Sequence, residues 1–327
     1  MKNPSREFAE LVSSSNFTLV DIGASGGVHP RWGKFGSSIR VVGFEPDDKE
    51  FQKLKQSDHQ IWFNIALSNS NEKRILHVTK AQTNTSFLKP NHALLKQLQW
   101  SPDEPVLDHE IIADFEVECK TLDCVLAERK LHPDYIKVDT QGSELDILSG
   151  SHKTLVEDVL IAEIEVEFAQ IYENQPLFAD VDGFMRARGF VLHDLGNMLY
   201  MKPRGLAGIG GAKGRLIAAD ALYIKDFSAD YQKLYQQGES KVYAAIAGYL
   251  AYGYPELGIN LLHNLQKEHC SIPRSDEILK LLQGVRPSGS QFIYKLPGIS
   301  RLAKLCGSVW FKYRKSEHCL WDMPLGN

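Results

Sequence analysis

From residue 17 to about residue 224, short apolar runs alternate with stretches of helical spacing, and this rhythm restricts the fold more than any other feature of the chain. Apolar runs of strand length suit strands buried on both faces, and helices between them serve as crossovers. The pattern therefore predicts repeated βα units around a mostly parallel, Rossmann-like α/β sheet. The predicted strands are 18–22, 40–44, 61–65, 135–138, 159–164, 190–193 and 217–224. Between residues 66 and 121 the rhythm changes: KRILHVTK and IIADFEVEC alternate polar and apolar residues, as half-buried antiparallel strands do. We read residues 67–120 as an inserted β-hairpin, whose polar loop NTSFLKPN around Ser86 could close over a cleft as a lid.

The first strand runs into TLVDIGASGG, where the chain turns glycine-rich after Asp21. Glycine lacks a Cβ, so Gly23, Gly26 and Gly27 allow positive φ and let a ligand approach the main chain; the same residues would also serve a purely structural turn. In open α/β sheets small ligands settle beyond the carboxyl ends of the strands, where the strand order reverses. Asp21, Gly23 and Ala24 are thus expected cofactor contacts. The second strand ends in VVGFEPD, which puts Glu45, followed by Pro46, where a carboxylate can accept both hydroxyl protons of a ribose. Nicotinamide-binding and adenosylmethionine-binding folds share that acid. A dinucleotide site wants G-x-G-x-x-G so that a pyrophosphate can rest on a helix N-terminus, but the register from Gly23 offers Ser25 and Val28 in place of the second and third glycines. S-adenosylmethionine has no phosphate to cradle and is the better match; an NAD-dependent oxidoreductase is the alternative enzyme.

The third strand exits through FNIALS, with Asn64 and Ala66 placed to bracket an adenine edge. The fourth gives DYIKVDTQGSELDIL, in which Asp139 ends an apolar run on the cleft side, and Glu144 opens a helix that tolerates negative charge at its start, as a cap or as a substrate contact. The fifth ends in AEIEVEF. Its Glu163, Glu165 and Glu167 share one face by the period of two, and a central parallel strand should be apolar on both faces, so this spacing predicts a chain leaving the core. At least one of the three should enter the cleft, with an exposed edge accounting for the others. Asp139, Glu165 and His193, all at predicted strand ends on the binding side, are the candidate catalytic groups, histidine being the side chain that titrates near neutrality. Arg204 and Arg215, with Lys213 between them in a glycine-rich loop, could receive an anionic acceptor. No ligand spacing demands a metal.

A formal net charge of −4 over 327 residues leaves no basic footprint for duplex nucleic acid. Five cysteines, odd in number and scattered without a C-x-x-C pair, suggest neither a disulfide framework nor a zinc site, and point to a reducing compartment. The sequence has no apolar signal core at its start and no run of about 18 apolar residues. We expect a cytoplasmic protein.

The strings DIGASGG, GFEPD, ALS, IKVDTQGSELDIL, IEVEFAQIYENQPLF, RGFVLHDL and ADALYIKD come in an order and spacing that resemble the FkbM family of adenosylmethionine-dependent methyltransferases, over roughly residues 19–226. The resemblance implies the seven-stranded methyltransferase sheet, mostly parallel with an antiparallel last strand, for which LIAADALYI is suited. It also implies O-methylation of hydroxyls on sugars, glycans or related metabolites, as in polysaccharide biosynthesis. A non-catalytic scaffold in surface-polysaccharide assembly is a further alternative.

The resemblance stops near Asp226. We divide the chain into a methyltransferase-like domain, 1–226, and a helical C-terminal region, 227–327, that could dock a protein partner or form a homodimer. Within it, residues 298–315 put Ile299, Leu302, Cys306, Val309, Trp310 and Tyr313 on one helical face and Arg301, Lys304, Lys312 and Arg314 elsewhere, a pattern that could lie on an anionic membrane surface or pack on its own domain.

Overall fold

The structure, a computed structural model, describes residues 3–285 apart from 14, 25–26, 100–107, 208 and 210–213. The basic stretch 298–315, Ser25, Gly26 and Lys213 lie outside the described residues. The chain begins with α1 (Pro4–Leu11), β1 (Phe17–Ile22), α2 (Pro30–Gly33), β2 (Ile39–Phe44), α3 (Asp48–Phe51) and β3 (Gln60–Phe63). The insertion supplies β4 (Ala66–Leu67), β5 (Glu72–Thr79), α4 (His92–Leu95), β6 (Leu98–Gln99) and β7 (Ile111–Lys120). Next come α5 (Leu122–Arg129), β8 (Tyr135–Val138), α6 (Glu144–Ser149), α7 (His152–Glu157), β9 (Ile161–Glu167), α8 (Phe178–Arg186), β10 (Phe190–Pro203) and β11 (Arg215–Lys225). Four helices end the described chain: α9 (Gln232–Gln236), α10 (Glu239–Tyr252), α11 (Pro255–Lys267) and α12 (Ser275–Gly284).

The main sheet has the order β3-β2-β1-β8-β9-β11-β10-β6. Strands β3 to β9 are parallel, while β11, last in the sequence, inserts between β9 and β10 antiparallel to both. The expected mostly parallel sheet with a reversed final strand is therefore present, and β6 from the insertion adds an eighth strand beyond β10. Strand β10 is far longer than the predicted 190–193, because register shifts against β11 let it bend and continue to Pro203. In the insertion, β5 and β7 pair antiparallel as the alternation predicts, and β4 adds to the other side of β7 in parallel.

Alternation along each strand divides the core. Val20, Ile22, Val42, Phe44, Val138 and Ile164 point into the layer under α5–α8, and Leu19, Val41, Tyr135 and Ile161 into the opposite layer. On that second face the crossover helices α2 and α3 have four residues each and cannot cover the sheet. Helices α1 and α10–α12 cover it instead, sharing one continuous core with β1, β2 and β8. Alanines and a glycine let α10 lie close: a Cβ on Gly248 would stand 2.5 Å from Ile161 Cδ1, and the Tyr135 hydroxyl donates to the Ala244 carbonyl at 2.5 Å. The C-terminal helices thus bury the sheet rather than a core of their own. Among the described residues, no helix is long and apolar enough to cross a membrane.

Candidate active site

Strand order reverses between β1 and β8, with β2 and β3 extending one way and β9 the other. At that point Gly23 follows β1 with φ of 80°, and a Cβ there would stand 1.8 Å from the Asp139 carbonyl oxygen, so only glycine lets the two strand ends meet. Above them lies a cavity of about 360 Å3, a volume typical of small-molecule sites. Ile22, Phe44, Ile65, Ala66, Leu76 and Ile147 make its apolar surface; Glu45, Asp139, Gln141 and Glu165 bring polar groups from three strand ends; and residues 82–83 and 85–87 of the insertion wall the remaining side.

Glu45 is buried and its Oε1 accepts the Asp47 backbone N–H at 2.9 Å. Burial raises its carboxyl to about 7, against the stabilising pull of that hydrogen bond. Asp139 Oδ2 accepts from Lys137 Nζ at 3.1 Å. Burial pulls Lys137 down, but Asp139, Asp21 and the hydrogen bond to Asp139 outweigh it, and the ammonium stays charged. Among the described residues, Lys137 is the one cation of the cavity wall. Glu165 Oε2 accepts from Gln141 Nε2 at 2.9 Å, and burial followed by the neighbouring Asp139 pushes its carboxyl well above the usual range.

The sequence-predicted residues divide sharply. Gly23, Glu45, Pro46, Ala66, Ser86, Asp139 and Glu165 line the one cavity. Asp21 and Ala24 are buried beside it without entering the wall; Asp21 has an Oδ1 with no hydrogen-bond partner among the described residues, and burial raises it to about 6. Glu144 is also buried and turned inward: its Oε1 accepts from the backbone N–H groups of Thr140 and Gly142 and from the Thr140 hydroxyl, which fixes the loop after β8. Asn64 is exposed and bonded to Asp48. His193 does not end its strand, since β10 continues to Pro203; it lies edge-on to Tyr254 in a separate groove with Phe227 and Leu257. Arg204 donates to the carbonyls of Leu95, Lys96 and Leu98 and so anchors the insertion, while Arg215 is exposed at the start of β11.

The acids of β9 depart from the expectation of an exposed edge. Glu163 and Glu167 are both buried in a central strand. Glu163 Oε2 accepts from Arg31 at 2.8 Å and from the Tyr252 hydroxyl at 2.6 Å, so residues 132 positions upstream and 89 downstream make its burial tolerable. In the strand register Lys137 stands between Asp21 and Glu163, a charge-compensated row across three strands. Burial, then Glu144 and Asp139, raise Glu167 to about 9, and it is neutral at physiological pH. Sequence reasoning missed Gln141 and Lys137. A cation inside the apolar run YIKV and a side chain at the turn of DTQGSE were the signals available.

Residues 21–192 match the model of the Methyltransferase FkbM domain. The chain is also similar to 2-O-methyltransferase NoeI of Sinorhizobium fredii (strain NBRC 101917 / NGR234), 26% identical over 193 residues that cover 54% of this chain and 74% of that protein. Among solved structures it resembles methyltransferase FkbM from Methylobacillus flagellatus KT, at a TM-score of 0.35 and 14% identity, covering 64% of this chain and only 43% of that one. A precorrin-6y C5,15-methyltransferase from Geobacter metallireducens GS-15 matches with a TM-score of 0.33 and 10% identity, over 68% of this chain and 87% of the other.

Proposed function

Because this chain belongs to the FkbM methyltransferase family, we propose that it transfers the methyl group of S-adenosylmethionine to a hydroxyl of a sugar, glycan or related metabolite. The observation that carries this reading is the one cavity into which Glu45 and Asp139 both open, from the ends of β2 and β8 with β1 between them. The residues there fit the cofactor. Glu45 offers a carboxylate to the two hydroxyls of a ribose, Ile65, Ala66 and Leu76 offer flat apolar contact to an adenine, and Gly23 leaves the main chain bare beneath the amino-acid end. Similarity to a 2-O-methyltransferase supports oxygen as the receiving atom.

When bound, S-adenosylmethionine supplies an electrophilic methyl carbon on a cationic sulfur. The chain's own task is to align the acceptor oxygen with that carbon and to keep water out, and residues 82–83 and 85–87 of the insertion close the side that strands leave open. The acceptor hydroxyl must also lose its proton. Asp139 is engaged by Lys137, whereas among the described residues Glu165 is hydrogen-bonded only by a neutral amide; its raised proton affinity makes it, once ionised, the stronger base for that proton, so transfer through it should speed up as pH rises. The free thiols of Cys119, Cys124 and Cys270 support a reducing, cytoplasmic setting.

Incubation of the protein with S-adenosylmethionine and glycan or metabolite extracts, followed by mass spectrometry, tests the reading: an acceptor heavier by one CH2 is expected. Stabilisation by NAD with no response to S-adenosylmethionine would point to oxidoreduction, and cofactor binding with no turnover on any acceptor to a scaffold.

A further inference from the structure

Gln141 holds a left-handed backbone, with φ of 58°, in the turn between β8 and α6. Residues with side chains keep that conformation only where their surroundings over-determine it, and such positions cluster at functional sites. The surroundings here are specific. The Gln141 carbonyl accepts from the Ser86 hydroxyl at 2.6 Å, and Ser86 belongs to the insertion. The Tyr172 hydroxyl lies 3.1 Å from Gln141 Oε1 and 3.0 Å from the carbonyl of Asn84, also in the insertion, and donates to one of the two at a time. The amide nitrogen then faces Glu165, at 2.9 Å from Oε2, and both side chains line the cavity.

We propose that Gln141 is a positioning residue for methyl transfer: its amide, steadied by the Tyr172 hydroxyl, sets the orientation of the Glu165 carboxylate toward the acceptor, and the Ser86 bond to its carbonyl makes that orientation depend on a docked insertion. The inference rests on the methyl-transfer reading above. In the transfer, Glu165 takes the proton of the acceptor hydroxyl as the oxygen bonds to the methyl carbon, and the electron pair of the broken carbon–sulfur bond stays on sulfur. A base displaced by an ångström loses much of its effect. A neutral amide suits this task because it can orient a carboxylate without neutralising it. The acids that face Glu165 are Asp139 from the end of β8, Glu144 from α6, Asp220 from β11 and Glu167 from its own strand, so its charged form has few other supports.

The test uses full-length protein carrying Gln141→Gly, which keeps the backbone conformation and removes the amide, and Tyr172→Phe in case that variant does not melt cooperatively. The first readout needs no turnover: the carboxyl carbon-13 titration of Glu165, assigned with Glu165→Gln. Losing a donor to the carboxylate disfavours the charged form, so the midpoint moves to higher pH in Gln141→Gly and, by less, in Tyr172→Phe. The second uses S-adenosylmethionine and a panel of p-nitrophenyl glycosides. We expect kcat to fall by about 10- to 100-fold, the acid limb of its pH profile to move up, and adenosylhomocysteine affinity to stay within about twofold. A wild-type midpoint together with a wild-type kcat in both variants would overturn the inference. Should the wild-type protein methylate no acceptor while the midpoint still moves, the methyl-transfer reading fails, and with it the positioning role, although the Gln141–Glu165 contact stands.

Discussion

Gly23 and Asp139 end adjacent strands so closely that a single methyl on the glycine would stand 1.8 Å from the aspartate's carbonyl oxygen. This contact sits where the strand order reverses, between β1 and β8, and it sets the distance between the bare turn and the acid-lined half of the cavity. A Gly23→Ala variant must both hold alanine at φ of 80° and push β1 and β8 apart. We expect a loss of about 1–3 kcal/mol in denaturant unfolding, with stabilisation by S-adenosylmethionine abolished.

Glu45 gives a pH signature to binding. Its carboxyl is raised to about 7 by burial, so the charged form that best accepts ribose hydroxyls is depleted as pH falls through that value. Affinity for adenosylhomocysteine should weaken by up to about 10-fold for each pH unit below 7. In Glu45→Gln, affinity at pH 8 drops by about 10- to 100-fold, from the loss of a charged hydrogen-bond partner worth about 1.5–3 kcal/mol, and the dependence between pH 6 and 8 flattens. Calorimetric titrations at three pH values check both.

Stability should respond to pH through Glu167. Its folded value of about 9 exceeds the ordinary glutamate value of 4.5, so its contribution is full below about pH 4.5 and is lost as pH rises through 9. Lys225, lowered to about 8 by burial, acts in the opposite sense between pH 8 and 10.5, which makes the difference between proteins the informative quantity. On going from pH 7 to 9 the wild-type protein should lose about 1–3 kcal/mol more than Glu167→Gln does, as read by thermal melts at both pH values.

The C-terminal helices should be indispensable to the fold. A chain ending at Asp226 would expose Trp32, Tyr135 and Ile161 and strip Glu163 of the Tyr252 hydroxyl. We expect it to give no cooperative melting transition. In the full chain, Tyr252→Phe removes that one donor and should cost about 1–3 kcal/mol in denaturant unfolding.

Much of this architecture was legible in the order of the residues. Strands β1, β2 and β8 show as mostly apolar runs because both faces of a central parallel strand are buried, and the polar alternation of β5 and β7 marks a hairpin outside that sheet. Gly23, Glu45 and Asp139 could be placed because each follows directly on such a run. What could not be read depends on partners far along the chain. Glu163 makes sense in a central strand only beside Arg31 and Tyr252, and α10 is apolar all round because it lies between the sheet on one side and α1 and α11 on the others. His193 and Asn64 were misplaced for a related reason: β10 does not stop at His193 but runs on to Pro203 through its pairing with β11, and Asn64 is drawn to Asp48.

The most direct test of the account is a calorimetric titration of adenosylhomocysteine into wild-type protein and into Glu45→Ala. We predict saturable one-to-one binding to the wild-type chain, weaker by at least about 10-fold in the variant. No binding, or equal affinity in the two proteins, would contradict the placement of the adenosyl cofactor in this cavity.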